Sequence, residues 1–109
     1  MRRIAEAILR WGDKFVERIY TPGEIDYCLR RARQAESFAV RFAAKEAFAK
    51  ALKVGKASIW REVEVARGES PRPALLLHGG ARELTGGRRV DLSLSHASTH
   101  AVAVVLVEE

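Results

Sequence analysis

The chain is poor in the residues that build special scaffolds. It has one cysteine, three prolines and eight glycines in 109 residues, and only 7% of it is aromatic. A lone Cys28 excludes an intramolecular disulfide framework and fits a reducing compartment. The longest apolar run, Ala101 to Val107, falls far short of the roughly 18 residues that span a bilayer, so no membrane partner is expected. Met1-Arg2-Arg3 leads into mixed polar and apolar residues and not into the apolar block of a secretory signal, so a cytoplasmic location is expected. The glycines form neither a P-loop nor a dinucleotide fingerprint. His78, His96 and His100 with the one cysteine give no zinc spacing. No repeat, linker or low-complexity segment is present. What remains is the composition of one small globular domain spanning residues 1–109.

Charge carries more information. Nineteen Lys and Arg against fourteen Asp and Glu give a net +5. The excess is confined to the first half. Residues 1–34 and residues 35–56 each carry +3, whereas residues 57–109 carry −1. A local basic excess implies an anionic partner: a phosphate-bearing ligand, an acidic protein or a nucleic acid. The nucleic-acid reading is the weakest, because the basic segments lack a recognition motif and the aromatic interleaving of single-strand binders.

The pattern of elements is helices first, strands later. Ile4, Ala7, Ile8 and Trp11 recur at helical spacing, so Arg2 to Trp11 reads as an amphipathic helix stopped by Gly12. Asp13 to Ile19 reads as a second, short helix. Thr21-Pro22-Gly23-Glu24 holds three helix-start signals, an N-cap, a first-turn proline and a capping-box glutamate, and predicts a helix to about Arg33. The spacing predicts a long helix from about Ala35 to Leu52, apolar on nearly every side yet carrying Arg41, Lys45, Glu46 and Lys50. Trp60 to Arg67 alternates like a strand, with Val63 and Val65 on one face. A turn at Glu69 to Pro73, a strand at Ala74 to His78 and a short helix from Gly79 ended by Gly86-Gly87 follow. Val90 to His96 alternates strictly. Ala97 to His100 is a tight connection, and Ala101 to Val107 is expected to be a central strand. This order describes an α+β domain, with N-terminal helices packed on an antiparallel sheet.

Two places can carry chemistry. Glu46, Lys50 and Lys53 recur at i, i+4 and i+7. On a polar helix this would be an ordinary salt bridge. On an apolar helix, a carboxylate beside two ammonium groups suits a cation-bridged phosphate, with Mg²⁺ on the carboxylate and lysines on the outer oxygens. Ser95-His96 ends a strand just before a turn, where a histidine can line a cleft. A Ser/His nucleophile pair is excluded by geometry, since adjacent strand residues face opposite ways.

Taken together these residues resemble a family. Arg41-Phe42-Ala43-Ala44-Lys45-Glu46-Ala47, then Lys50-Ala51-Leu52, is similar to the R-F-A-A-K-E-A…K-A signature of the holo-[acyl-carrier-protein] synthases, the small bacterial 4′-phosphopantetheinyl transferases. Phe15 to Glu24 resembles the family's F-x-x-R-x-[FY]-T-x-x-E block. Leu92 to His96 followed by Ala101-Val102-Ala103 resembles its S-L-S-H…A-x-A block. With Ile59 to Val65 the likeness spans essentially the whole chain.

The resemblance implies a phosphopantetheinyl transferase fold and a cytoplasmic enzyme of lipid metabolism. Phosphopantetheine would pass from coenzyme A to a serine of apo acyl carrier protein, releasing adenosine 3′,5′-bisphosphate. Glu46 would bind Mg²⁺ and act as the base, directly or through water. Lys50 would neutralise the diphosphate. Arg41, Lys45, Ser95 and His96 would surround coenzyme A. Arg2, Arg3, Arg10 and Lys14 would face the acidic carrier protein. The family forms homotrimers with sites between subunits. Two departures are expected. Met1-Arg2-Arg3-Ile4 matches the start of the family's first helix, so its G-I-x-x-D-[IV]-x-E strand and metal-binding aspartate are not in the chain as given. The family's glycine-rich segment appears as Lys53-Val54-Gly55-Lys56. The competing function is a non-catalytic relative that docks acidic carrier proteins.

Overall fold

A computed structural model describes residue 12 and residues 14–53, 60–66, 73–96 and 101–108. The expected helix at Arg2 to Trp11, the turn at Glu69 to Pro73 except for Pro73, and the connection at Ala97 to His100 lie outside the described residues. Among the described residues, four helices and two antiparallel strand pairs make an α+β domain, as the sequence predicts. Residues 14–19 are helical (α1). Then come α2 (Pro22–Leu29), α3 (Gln34–Leu52), a 3₁₀ turn (Trp60–Glu62), β1 (Val63–Ala66), β2 (Ala74–Leu77), α4 (Gly79–Thr85), β3 (Val90–His96) and β4 (Ala101–Val107).

The start of α2 follows its sequence signals. Thr21 is the N-cap, its side chain accepting from the Glu24 N–H at 3.2 Å while Glu24 Oε1 accepts from the Thr21 N–H at 3.0 Å. The helix ends at Leu29, earlier than the expected Arg33. The last turn tightens to i−3 bonds, Arg30 N–H to Tyr27 O and Arg31 N–H to Cys28 O. The Gln34 side-chain amide donates to the Leu29 carbonyl at 3.1 Å, satisfying a helix-end acceptor from the next element. α3 matches its expected span to within one residue and ends at Lys53, which has φ 55° and ψ 45°.

α3 is the organising element. It lies along β4 and β3 on one side and touches α2 and β1 on another. One core cluster joins Ile19, Tyr20, Cys28, Phe38 and Ala39. A second joins Phe48 and Ala49 of α3 to Val63 and Ala81. The Tyr20 hydroxyl donates to the Phe38 carbonyl at 2.7 Å, tying the end of α1 to α3. Apolar periodicity on nearly every side of α3 thus reflects packing against several neighbours.

The strands differ from expectation in three ways. The single antiparallel sheet resolves, among the described residues, into two antiparallel pairs, β1–β2 and β3–β4. The strand expected from Trp60 begins only at Val63, because residues 60–62 form the 3₁₀ turn. Val63 and Val65 are buried as predicted, at 0% and 3% exposure. β4 is not central. It pairs with β3 in a register running from Val90 opposite Val107 to His96 opposite Ala101. Its residues alternate between half-buried and exposed, with Val102, Val104 and Leu106 turned outward. α3 covers one face of the pair, and an apolar run that reads as two-sided burial is here buried on one side.

α4 has no side-chain cap of its own. Glu62 supplies one from the 3₁₀ turn, its Oε1 accepting from the Ala81 N–H at 3.0 Å. Gly79 makes room for this carboxylate: a Cβ there would lie 2.8 Å from Glu62 Oε2, and its φ of +52° suits glycine. Gly86, at φ 59°, ends the helix as expected.

Candidate active site

α3 presents its charged residues to three different environments. Lys45 enters the core. It is 0% exposed, and its ammonium donates to Glu24 Oε1 at 2.7 Å, the Trp60 carbonyl at 2.6 Å and the Val63 carbonyl at 2.5 Å. These are all three hydrogens of the group. Glu24 is equally buried, and its Oε2 accepts from the Val65 N–H at 2.9 Å. One carboxylate therefore caps α2, anchors β1 and pairs with Lys45. The two carbonyls taken by Lys45 belong to the first residue of the 3₁₀ turn and the first residue of β1, which holds the turn in place and starts the strand late. Burial lowers the Lys45 pKa below its ordinary value, while the charge and hydrogen bond of Glu24 act against that shift. Lys45, expected beside coenzyme A, here directs all three of its donors to groups inside the protein.

Arg41 lines a cleft of about 460 Å³ between the α2–α3 connection, α3 and Leu94 of β3. Tyr27, Arg31 and Arg33 share its wall. Arg41 is 4% exposed, and one terminal nitrogen donates to the Ser37 carbonyl at 3.2 Å. Its Nε is buried with no hydrogen-bond partner among the described residues. Its guanidinium lies over the Tyr27 ring at 4.4 Å from the centroid, and that of Arg31 lies at 5.3 Å from the same ring. Arg33 bonds Glu36 at 3.5 Å. Three guanidinium groups against one carboxylate, that of Glu36, make the cleft cationic. That is a site for an anion.

Glu46 and Lys50 lie on the C-terminal half of α3, one turn apart. Glu46 is half-buried and Lys50 is exposed. Lys53 has left the helix as its C-cap. Among the described residues no three His, Cys, Asp or Glu side chains cluster as a metal cage. The donor chemistry still fits one cation type. Mg²⁺ is commonly held by one or two carboxylates, with phosphates and water completing its shell. A single half-buried carboxylate beside an exposed ammonium meets that description.

The other expected residues are partly placed. Ser95 is exposed and stands opposite Val102. His96 closes β3 opposite Ala101, next in sequence but one to Leu94 of the cleft. Lys14 is exposed on α1, and Arg2, Arg3 and Arg10 lie outside the described residues. Cys28 is a core residue whose thiol is pushed up to about 11, chiefly by burial, so it offers no nucleophile. Sequence reasoning did not single out Tyr27, Arg31, Arg33 or the second role of Glu24. The available signal was the run Arg30-Arg31-Ala32-Arg33, a dense part of the basic excess just before α3.

Comparison with known proteins gives a consistent picture. The profile of the 4′-phosphopantetheinyl transferase superfamily matches residues 1–105. The chain is 47% identical to a holo-[acyl-carrier-protein] synthase of Koribacter versatilis, covering 98% of this chain and 90% of that protein. It is 45% identical to one of Solibacter usitatus, over 97% of this chain and 89% of the relative. Its fold is similar to the crystal structure of Helicobacter pylori holo-[acyl-carrier-protein] synthase in complex with coenzyme A. That match has a TM-score of 0.81 at 30% identity and covers 98% of this chain and 92% of the other. The Neisseria meningitidis enzyme gives a TM-score of 0.86 at 32% identity, over 99% and 90%.

Proposed function

The chain belongs to the 4′-phosphopantetheinyl transferase superfamily, and from that membership we propose that it transfers phosphopantetheine from coenzyme A to a serine of an acyl carrier protein. The observation that carries the reading is the Arg41 cleft, a cavity of about 460 Å³ whose wall gathers Arg31, Arg33 and Arg41 against the single carboxylate of Glu36 and so suits a phosphate-bearing substrate. The serine oxygen attacks the β-phosphorus of the coenzyme A diphosphate. A new P–O bond forms there, the bridging P–O bond breaks, and adenosine 3′,5′-bisphosphate leaves. The serine proton passes to the Glu46 carboxylate, directly or through a water. Glu46 would also hold Mg²⁺, which when bound would neutralise diphosphate charge. Lys50 adds a mobile cation to the same oxygens. Arg41 holds the nucleotide end, with Ser95 and His96 completing the coenzyme A site. Lys14, with Arg2, Arg3 and Arg10, meets the acidic carrier protein. The working form is a homotrimer in which the outward apolar face of β4 packs between subunits.

The test is direct. Protein, Mg²⁺, coenzyme A and apo carrier protein should give a carrier heavier by one phosphopantetheine in the mass spectrum. Glu46→Gln should lower turnover by about 10²-fold or more, the scale of a lost proton acceptor. Undiminished turnover in that variant removes Glu46 from its role. Salt-sensitive carrier binding without any transfer identifies a non-catalytic carrier-binding relative instead.

A further inference from the structure

Among the described residues, Tyr27 is the one aromatic ring on the wall of the Arg41 cleft. It is half-buried on α2, and its partners come from two other places in the chain. Arg41 reaches it from α3 at 4.4 Å, and Arg31 from the α2–α3 connection at 5.3 Å. Arg41 is almost fully buried, yet no carboxylate among the described residues pairs with it. A buried guanidinium without a counter-charge is free to swing unless something else holds it. Here one nitrogen is held by the Ser37 carbonyl, and the flat face is held by the ring. A ring satisfies the face of a guanidinium without consuming its N–H donors, which a carboxylate would take.

We propose that Tyr27 is a positioning residue for coenzyme A, its ring fixing the Arg41 and Arg31 guanidinium groups in the cleft with their donors left for phosphate oxygens. The inference rests on the coenzyme A reading of the cleft. It assigns no proton transfer or bond-making to Tyr27. The ring, not the hydroxyl, is the working part. Losing it leaves both arginines charged but unfixed, which weakens ground-state and transition-state binding alike and raises KM without lowering kcat.

The experiment compares Tyr27→Leu and Tyr27→Phe with the parent protein. Tyr27→Leu should raise KM for coenzyme A about ten-fold with kcat held within about two-fold, and Tyr27→Phe should restore the parent KM. Calorimetry with adenosine 3′,5′-bisphosphate gives a second readout that needs no turnover, and the same loss and rescue are expected. Arg31→Gln, an exposed change that the fold should tolerate, should also weaken bisphosphate binding several-fold. It stands in for Tyr27→Leu if that variant does not fold. An unchanged KM in Tyr27→Leu, a Tyr27→Phe variant as weak as Tyr27→Leu, a fall in kcat alone, or unchanged binding in Arg31→Gln overturns the proposal. The two levels separate cleanly. Ring-dependent bisphosphate binding without any transfer supports the positioning role and sinks the transferase reading. Transfer by the parent protein with ring-independent binding does the reverse. A parent protein that binds no bisphosphate overturns both.

Discussion

Lys45 and Arg41 stand four residues apart on one helix and meet opposite fates. Lys45 has an internal carboxylate and two carbonyls, so its charge is consumed by the fold. Arg41 has a carbonyl and a ring, and no ion pair among the described residues. A motif that contains both gives no sign of this difference, because Glu24 arrives from twenty-one residues away. The consequence is measurable. Lys45→Met strands the Glu24 carboxylate in the core and leaves two carbonyls unpaired, which should cost about 3–5 kcal/mol in chemical denaturation. Adding Glu24→Gln removes the stranded charge and keeps an acceptor for the Thr21 or Val65 N–H, so the double variant should be more stable than Lys45→Met alone. A Lys45→Met protein within about 1 kcal/mol of the parent would show that the pair is not what holds α2 and β1 to α3.

At the scale of elements, the weak joint is the end of α3. Lys53 adopts φ 55°, a left-handed conformation that glycine takes freely and an L-residue adopts at a cost of about 1 kcal/mol. Lys53→Gly should therefore stabilise the protein by at most roughly 0.5 kcal/mol, after the entropy of the more flexible unfolded chain is counted. A lower melting temperature in that variant would mean the Lys53 side chain contributes more than its backbone costs. The elements that the sequence makes legible are those whose causes are local. Thr21-Pro22-Gly23-Glu24 carries its own capping box, α3 has no Gly or Pro within it, and Val90 to His96 alternates without a break. The ones it misplaces have distant causes. The turn at Trp60 is held by Lys45, and the end of α2 is met by the side chain of Gln34. The site divides in the same way. Arg41 and Glu46 are readable from a contiguous motif, whereas Tyr27 and Arg31 join Arg41 only through the packing of α2 on α3.

At the scale of the molecule, the described residues leave an apolar face open along β4. Along β4, Val102, Val104 and Leu106 are 54%, 48% and 64% exposed, and their partners across β3 are Ser95, Ser93 and Asp91. Three branched side chains in a row, on the face away from α3, are an expensive surface for a monomer to keep in water. A closed symmetric oligomer covers such a face with a copy of itself, each subunit burying the same residues. The homotrimer proposed above makes this face its seam, which brings the Ser95 end of the hairpin to a subunit boundary. Light scattering should then give a mass three times the 12.1 kDa of the chain. Val104→Lys places an unpaired ammonium in the seam and should shift the protein to monomer, because a buried charge without a partner costs several kcal/mol. If sites form between subunits, the same variant should lose transfer in proportion to the lost trimer, with activity partly regained at high protein concentration. α3 packs on the opposite face of the pair, so the far-ultraviolet circular dichroism signal of the described helices should be unchanged. A parent protein that is monomeric at working concentration and fully active would remove the trimer, and the shared site with it.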